Sequence, residues 1–201
     1  YAMKDQLSHV SPRTQNRNLP YTPVPPADVL KNEPDTDFDL PQNQEWVRSI
    51  FSKWKKDGTE QPEIIPLQIG AETVVCESRY PYTDRCQDDE VCICEMSQAD
   101  SAQVEKIIEI AEADPAGWRK TTLEERHRIM YEAANRLADM RGDLIGCMCA
   151  VTGKTVIEGD VEVSEAVDYA RFYTTAMKKF AALDDVEMKP KGTILVISPW
   201  N

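Results

Sequence analysis

Apolar and polar positions divide the chain into three stretches. Residues 1–44 show no apolar period, and the run Leu19-Pro20-Tyr21-Thr22-Pro23-Val24-Pro25-Pro26 predicts extended backbone without a core of its own. Trp46, Val47, Ile50, Phe51 and Trp54 then recur at helical spacing, with Asn43 as the expected cap and Gly58 as the stop. Residues 1–60 are therefore expected to be a proline-rich arm or linker carrying one short helix. Strand patterns follow at 64–72, 74–76 and 91–96, while 79–89 has turn chemistry in Pro81, Asp84, Asp88 and Asp89. Helical spacing then dominates. Val104, Ile107, Ile108 and Ala111 mark a helix over 99–113, which Asp114-Pro115-Ala116-Gly117 breaks. The Thr122/Glu125 capping box opens a helix with Ile129, Met130, Ala133, Ala134, Leu137 and Met140 on one face. Gly142 is expected to interrupt it, and a shorter helix then runs from 143 to about 153. A helix over 161–183 is expected to bury Ala166, Val167, Ala170, Phe172, Tyr173, Met177 and Phe180. Residues 193–197 read as a strand buried on both faces of a parallel sheet. This order of strands, helices and a closing buried strand indicates an α/β protein.

Charge narrows the function. The net charge is −12, which phosphate backbones would repel, so nucleic acid is not the expected partner. No apolar run approaches the ~20 residues needed to span a bilayer, and the first residues lack a signal-peptide pattern. A cytoplasmic location is expected.

The usual catalytic groups are sparse. His9 lies in the arm, and His127 sits between Arg126 and Arg128, where a solvated position is expected. Without a histidine base no triad forms, and the glycines make no dinucleotide fingerprint or P-loop. The six cysteines include two Cys-x-Cys pairs, Cys92/Cys94 and Cys147/Cys149. In a strand the first pair shares a face; on a helix the second diverges by about 200°. The zinc spacing Cys-x2-Cys is absent, so reduced, partly buried thiols are expected and no metal.

Four landmarks stand in order. Trp118 precedes Glu124-Glu125-Arg126. Thr152-Gly153-Lys154-Thr155 is followed by Glu158. Glu165-Ala166-Val167-Asp168-Tyr169-Ala170-Arg171-Phe172-Tyr173 forms a helical block, and Ile197-Ser198-Pro199-Trp200-Asn201 closes the series. Together they resemble the aldehyde dehydrogenase superfamily, over residues from about 62 to 201. Asn32-Glu33-Pro34 and the Val163-Ser164-Glu165-Ala166 segment resemble more narrowly the L-glutamate γ-semialdehyde (1-pyrroline-5-carboxylate) dehydrogenases and their fusions with proline dehydrogenase. The resemblance implies the N-terminal part of a Rossmann-type cofactor domain over 61–201, preceded by a β-hairpin region and an extended arm.

It also implies chemistry. The whole enzyme would use NAD to oxidise L-glutamate γ-semialdehyde to glutamate in proline catabolism, through a thiohemiacetal on a cysteine beyond Asn201. Asn201 would donate its side-chain N–H to the developing oxyanion. Ile197, Ser198, Pro199 and Trp200 would line the cofactor cleft. Glu165, Tyr169 and Phe172 share a helical face at i, i+4, i+7. Glu165 and Tyr169 would border the substrate, or Glu165 would be a solvated acid beside core aromatics. The partner is then a small aldehyde, with FAD only where a proline dehydrogenase domain precedes this segment. Homo-oligomers are expected, the 64–96 region resembling the part through which such enzymes associate. The 201 residues alone are expected to be inactive. The competing expectation is a non-catalytic truncated module for assembly or partner binding, for which the acidic surface and proline-rich arm are suited.

Overall fold

Three of the long helices open on a reciprocal side-chain cap. Asp100 caps α2 (Ser101–Ala113) with Gln103, Thr122 caps α3 (Leu123–Asp139) with Glu125, and Thr155 caps α5 (Val156–Ala181) with Glu158. Each cap satisfies amide donors that the helix leaves unpaired, at about 1 kcal/mol apiece. The Thr155 box starts α5 five residues ahead of the apolar pattern. The computed structural model describes residues 13–87 and 91–198.

The first helix, α1 (Pro41–Trp54), starts on a proline rather than on Asn43. A proline costs nothing in a first turn, where its missing N–H would be unpaired. Asn43 is instead fully buried. Its side chain accepts from the Arg17 amide at 2.8 Å and donates to Gln15 Oε1 and the Asp37 carbonyl, both at 2.9 Å. The break between α3 and α4 (Arg141–Thr152) falls at Met140, so Gly142 lies inside α4. Gly153, at φ 75°, ends α4 in the left-handed conformation that glycine adopts without strain.

The strands form two small sheets. β1 (Glu63–Ile65) runs parallel to β5 (Cys92–Ser97), and β4 (Arg79–Thr83) pairs with the other edge of β5 antiparallel. β2 (Leu67–Ile69) and β3 (Glu72–Val74) make a hairpin. Residues 79–83 are thus a strand, not the expected turn. Tyr80 and Tyr82 supply β propensity, their rings meeting edge-on at 5.3 Å, and Pro81 is tolerated because β4 is an edge strand.

The main core lies between α3, α4 and α5: Ala134, Ala138, Ile145, Cys149, Val163 and Val167, with Tyr21, Trp46 and Leu144 packed around them. Residues 13–40, which carry neither helix nor strand, lie across these helices as a strap. Residues 193–197 are not a buried strand: Ile194 and Ile197 are 66% and 81% exposed. A parallel strand exists only through its neighbours' hydrogen bonds, and among the described residues none pairs with this run.

Gly146 fixes how α1 meets α4. A Cβ there would lie 2.2 Å from Trp54 Cδ1. Gly146→Ala is therefore expected to destabilise the chain by about 1–3 kcal/mol through overpacking. Urea unfolding would read this as a lower midpoint, partly recovered in a Gly146→Ala/Trp54→Leu double variant. An unchanged midpoint would show that the indole moves aside freely.

Candidate functional site

α5 has two faces, and the structure reverses the expected burial of most of its aromatic residues. Asp160, Val163, Ser164, Val167, Arg171 and Thr175 face inward. Phe172, Tyr173, Met177 and Phe180, expected in the core, are exposed; Tyr173 is 65% exposed. The inward face tolerates its charges because each meets a partner.

Those partners come largely from the strap. The buried Asp160 carboxylate accepts from the Thr36 amide and hydroxyl, both at 2.6 Å, and from Arg141 Nη1 at 2.8 Å. Arg141 Nη2 donates to Ser164 Oγ at 2.9 Å. Glu33, 7% exposed, receives Arg171 at 3.1 Å, with Arg141 at 3.6 Å and Arg17 at 3.9 Å. Asp168 holds the strap at the same point, accepting from Asn32 Nδ2 at 2.6 Å and the Glu33 amide at 2.7 Å. Asn32-Glu33-Pro34 and the Asp168/Arg171 block, two separate motifs in the sequence, are thus halves of one contact. Burial, and then the Arg141 charge, push the Arg17 guanidinium below its ordinary range.

Two further contacts hold the strap. The Asn135 amide accepts from the Val24 N–H at 3.0 Å and donates to the Val24 carbonyl at 2.9 Å. The Tyr131 hydroxyl donates to the Ala27 carbonyl at 3.1 Å. His127 belongs here and is not solvated: it is 3% exposed, edge-on to Tyr131 at 4.8 Å, with Nε2 3.4 Å from Thr175 Oγ1. The charged stripe of Arg126 and Arg128 concealed this, since His127 points the other way, toward α5. Burial and the nearby Lys178 charge push the imidazole pKa down, against the pull of Glu124 and Asp28.

The outward face of α5 carries the residues expected to border a substrate. Glu165 is exposed, and Tyr169, Tyr173 and Phe172 form a ring series with centroids 5.9 and 5.3 Å apart. A carboxylate beside such rings can receive a primary ammonium on an apolar stem. Ile197 and Ser198, expected to line a cofactor cleft, are exposed and carry neither helix nor strand, and no hydrogen bond or ring contact joins them to Glu165 or Tyr169 among the described residues. Pro199, Trp200 and Asn201 lie outside the described residues. Among the described residues no group of three or more His, Cys, Asp or Glu side chains could hold a metal ion, and no helix is long and apolar enough to cross a membrane.

The buried ionic cluster is not apparent from apolar spacing alone. Its signal is nonetheless present: Asp160, Ser164, Val167, Arg171 and Thr175 recur at helical spacing, placing polar groups in register with Val163 and Val167.

The model of the "Aldehyde dehydrogenase family" matches residues 75–201. A 1-pyrroline-5-carboxylate dehydrogenase of Geobacillus sp. (strain WCH70) is 29% identical over 181 residues, 85% of this chain and 34% of the relative. The structure resembles a 1-pyrroline-5-carboxylate dehydrogenase from Thermus with bound NAD, with TM-score 0.70, 23% identity, and coverage of 81% of this chain and 30% of that one. It also resembles proline utilization A from Bdellovibrio bacteriovorus inactivated by N-propargylglycine, with TM-score 0.69, 21% identity, and coverage of 79% and 16%. The chain spans about a third of the length of the curated relatives it matches.

Two outcomes follow from the strap contacts. Glu33→Gln removes the carboxylate that three guanidiniums share and is expected to cost about 3–5 kcal/mol; urea unfolding measures the loss, and limited proteolysis should cut earlier within residues 17–36. A cost below about 1 kcal/mol would mean that the cluster is solvated. His127 gives a pH signature. Its pKa is lower folded than unfolded, so below about 6.5 the unfolded chain takes up a proton that the folded chain refuses. Stability is expected to be complete above that value and to fall as pH drops through it. In His127→Gln the slope between about pH 7 and 5.5 should flatten; an unaltered slope would assign the titration elsewhere.

Proposed function

The chain belongs to the aldehyde dehydrogenase family, and on that footing we propose that it is the N-terminal part of an NAD-dependent dehydrogenase. The enzyme oxidises L-glutamate γ-semialdehyde to glutamate in proline catabolism, in the cytoplasm. One observation carries the choice within the family. The family model begins at residue 75, whereas the likeness to relatives named 1-pyrroline-5-carboxylate dehydrogenase covers 85% of the chain. That likeness therefore includes residues ahead of 75, where the strap places Asn32 and Glu33 against Asp168 and Arg171.

The roles in this reading follow from chemistry. Asn201 donates its amide N–H to the oxyanion that develops on the aldehyde carbon's oxygen, a donor that does not titrate. Ile197, Ser198, Pro199 and Trp200 line the cleft for NAD, which when bound accepts a hydride. Glu165 receives the substrate's ammonium group, and Tyr169 packs on its methylene stem. The likeness to proline utilization A is compatible with a proline dehydrogenase domain, and its FAD, in the same polypeptide. Self-association through the sheet region suits the exposure of Ile64, Val75, Tyr80 and Met96.

In the dehydrogenase that carries this chain, Asn201→Ala is expected to lower kcat and kcat/KM together by about 10²–10³, leaving NAD affinity unchanged. Glu165→Gln should raise KM for L-glutamate γ-semialdehyde while sparing a simple aliphatic aldehyde. Steady-state kinetics beside a thermal melt decide both. Normal turnover with a lowered melting temperature would make Asn201 a turn residue, and equal effects on both aldehydes would remove Glu165 from the substrate site.

A further inference from the structure

The Cys-x-Cys pair on α4 sends its two thiols into different spaces. Cys147 lines a cavity of about 500 Å³ with Cys92 and Cys94 of β5. Cys149 lines a separate cavity of about 480 Å³ with Ile50, Phe51, Trp54 and Cys86, the last on the loop after β4. In this second pair the backbone is pinned as well. The Arg85 amide donates to the Ala150 carbonyl at 2.8 Å, the Cys86 amide donates to Asp84 Oδ1 at 2.8 Å, and Cys86 Sγ lies 3.1 Å from the carbonyl oxygen of Cys149 itself.

We infer that Cys86 and Cys149 are a redox-sensitive dithiol that closes to a disulfide by exchange with a small-molecule disulfide of the oxidised-glutathione class. The placement suits a two-step exchange, because Cys86 is exposed and Cys149 is buried beneath it. Cys86 loses its proton to solvent, and its thiolate attacks one sulfur of the oxidant; that S–S bond breaks and one small thiol leaves. Cys149 then loses its proton and attacks the Cys86 sulfur, expelling the second small thiol. The protein gives up two hydrogen atoms, and the oxidant is reduced to two thiols. Cys86 Sγ already lies against the Cys149 backbone, and the side-chain χ1 torsions are the freedom through which the two sulfurs would approach. Burial and then Cys86 push the Cys149 thiol up, and burial and then Asp84 push up that of Cys86. The bond would tie the loop after β4 to the last turn of α4, across 63 residues of chain.

The test is oxidation of the full chain with oxidised glutathione, read by free-thiol titration, intact mass and mapping of linked fragments. Cys147 and Cys149 share a tryptic fragment, so serine variants assign the bond. Loss of two of the six thiols is expected, without bound glutathione and with a raised melting temperature. The cross-link should persist in C147S and vanish in C86S, whose exposed position leaves the core unchanged, and in C149S. Glutathione retained on Cys86, or six thiols still titrating, would overturn the inference. So would a cross-link that survives in C149S but is lost in C147S, since that would assign it to the cavity containing Cys94.

Discussion

Burial of Glu33 is the constraint on which the helical half of the molecule depends. Its carboxylate lies among the guanidiniums of Arg17, Arg141 and Arg171, which come from the strap, α4 and α5. No member of such a cluster is stable alone away from water, so the three elements must be assembled together. Asp160 extends the constraint by binding Thr36 and Arg141 at once. The strap, which has no secondary structure to hold it, is positioned by charge and hydrogen bonds where an apolar element would use area.

The same constraint orients α5. Its charged face turns inward because the cluster is there, and the aromatic face turns outward with Glu165, Tyr169, Phe172 and Tyr173 on it. This outward face carries Glu165 and Tyr169, the residues proposed to border the substrate, and the inward charges hold the helix in place. The structural cluster and the proposed site are therefore two sides of one helix.

The sheet half is coupled to this core through α4. Trp54 of α1 packs onto Gly146, and the loop after β4 meets the last turn of α4 through Arg85 and Cys86. α4 is thus packed on the ionic cluster, on α1 and on the strands. Its small residues, Gly142, Gly146 and Ala150, let these neighbours approach closely.

Much of this is legible in the sequence. Apolar spacing places four of the five helices to within a few residues, and the order of the landmark motifs by itself points to the family. Local chemistry suffices for such features, because a capping box or an i, i+4 apolar pair acts within one turn. Tertiary structure decides what the charges do. Asn43 reads as a cap, and His127 as a solvated residue on a basic stripe; partners distant in sequence bury both. Nothing in the local apolar pattern announces the burial of Asp160 and Arg171, whose partners Thr36 and Glu33 meet them across more than a hundred residues. The run at 193–197 shows the converse: its β-branched residues specify a strand, but strand formation needs a neighbour's hydrogen bonds. Propensity is a property of the segment itself. Burial of a charge and pairing of a strand are properties of what the rest of the chain brings to it.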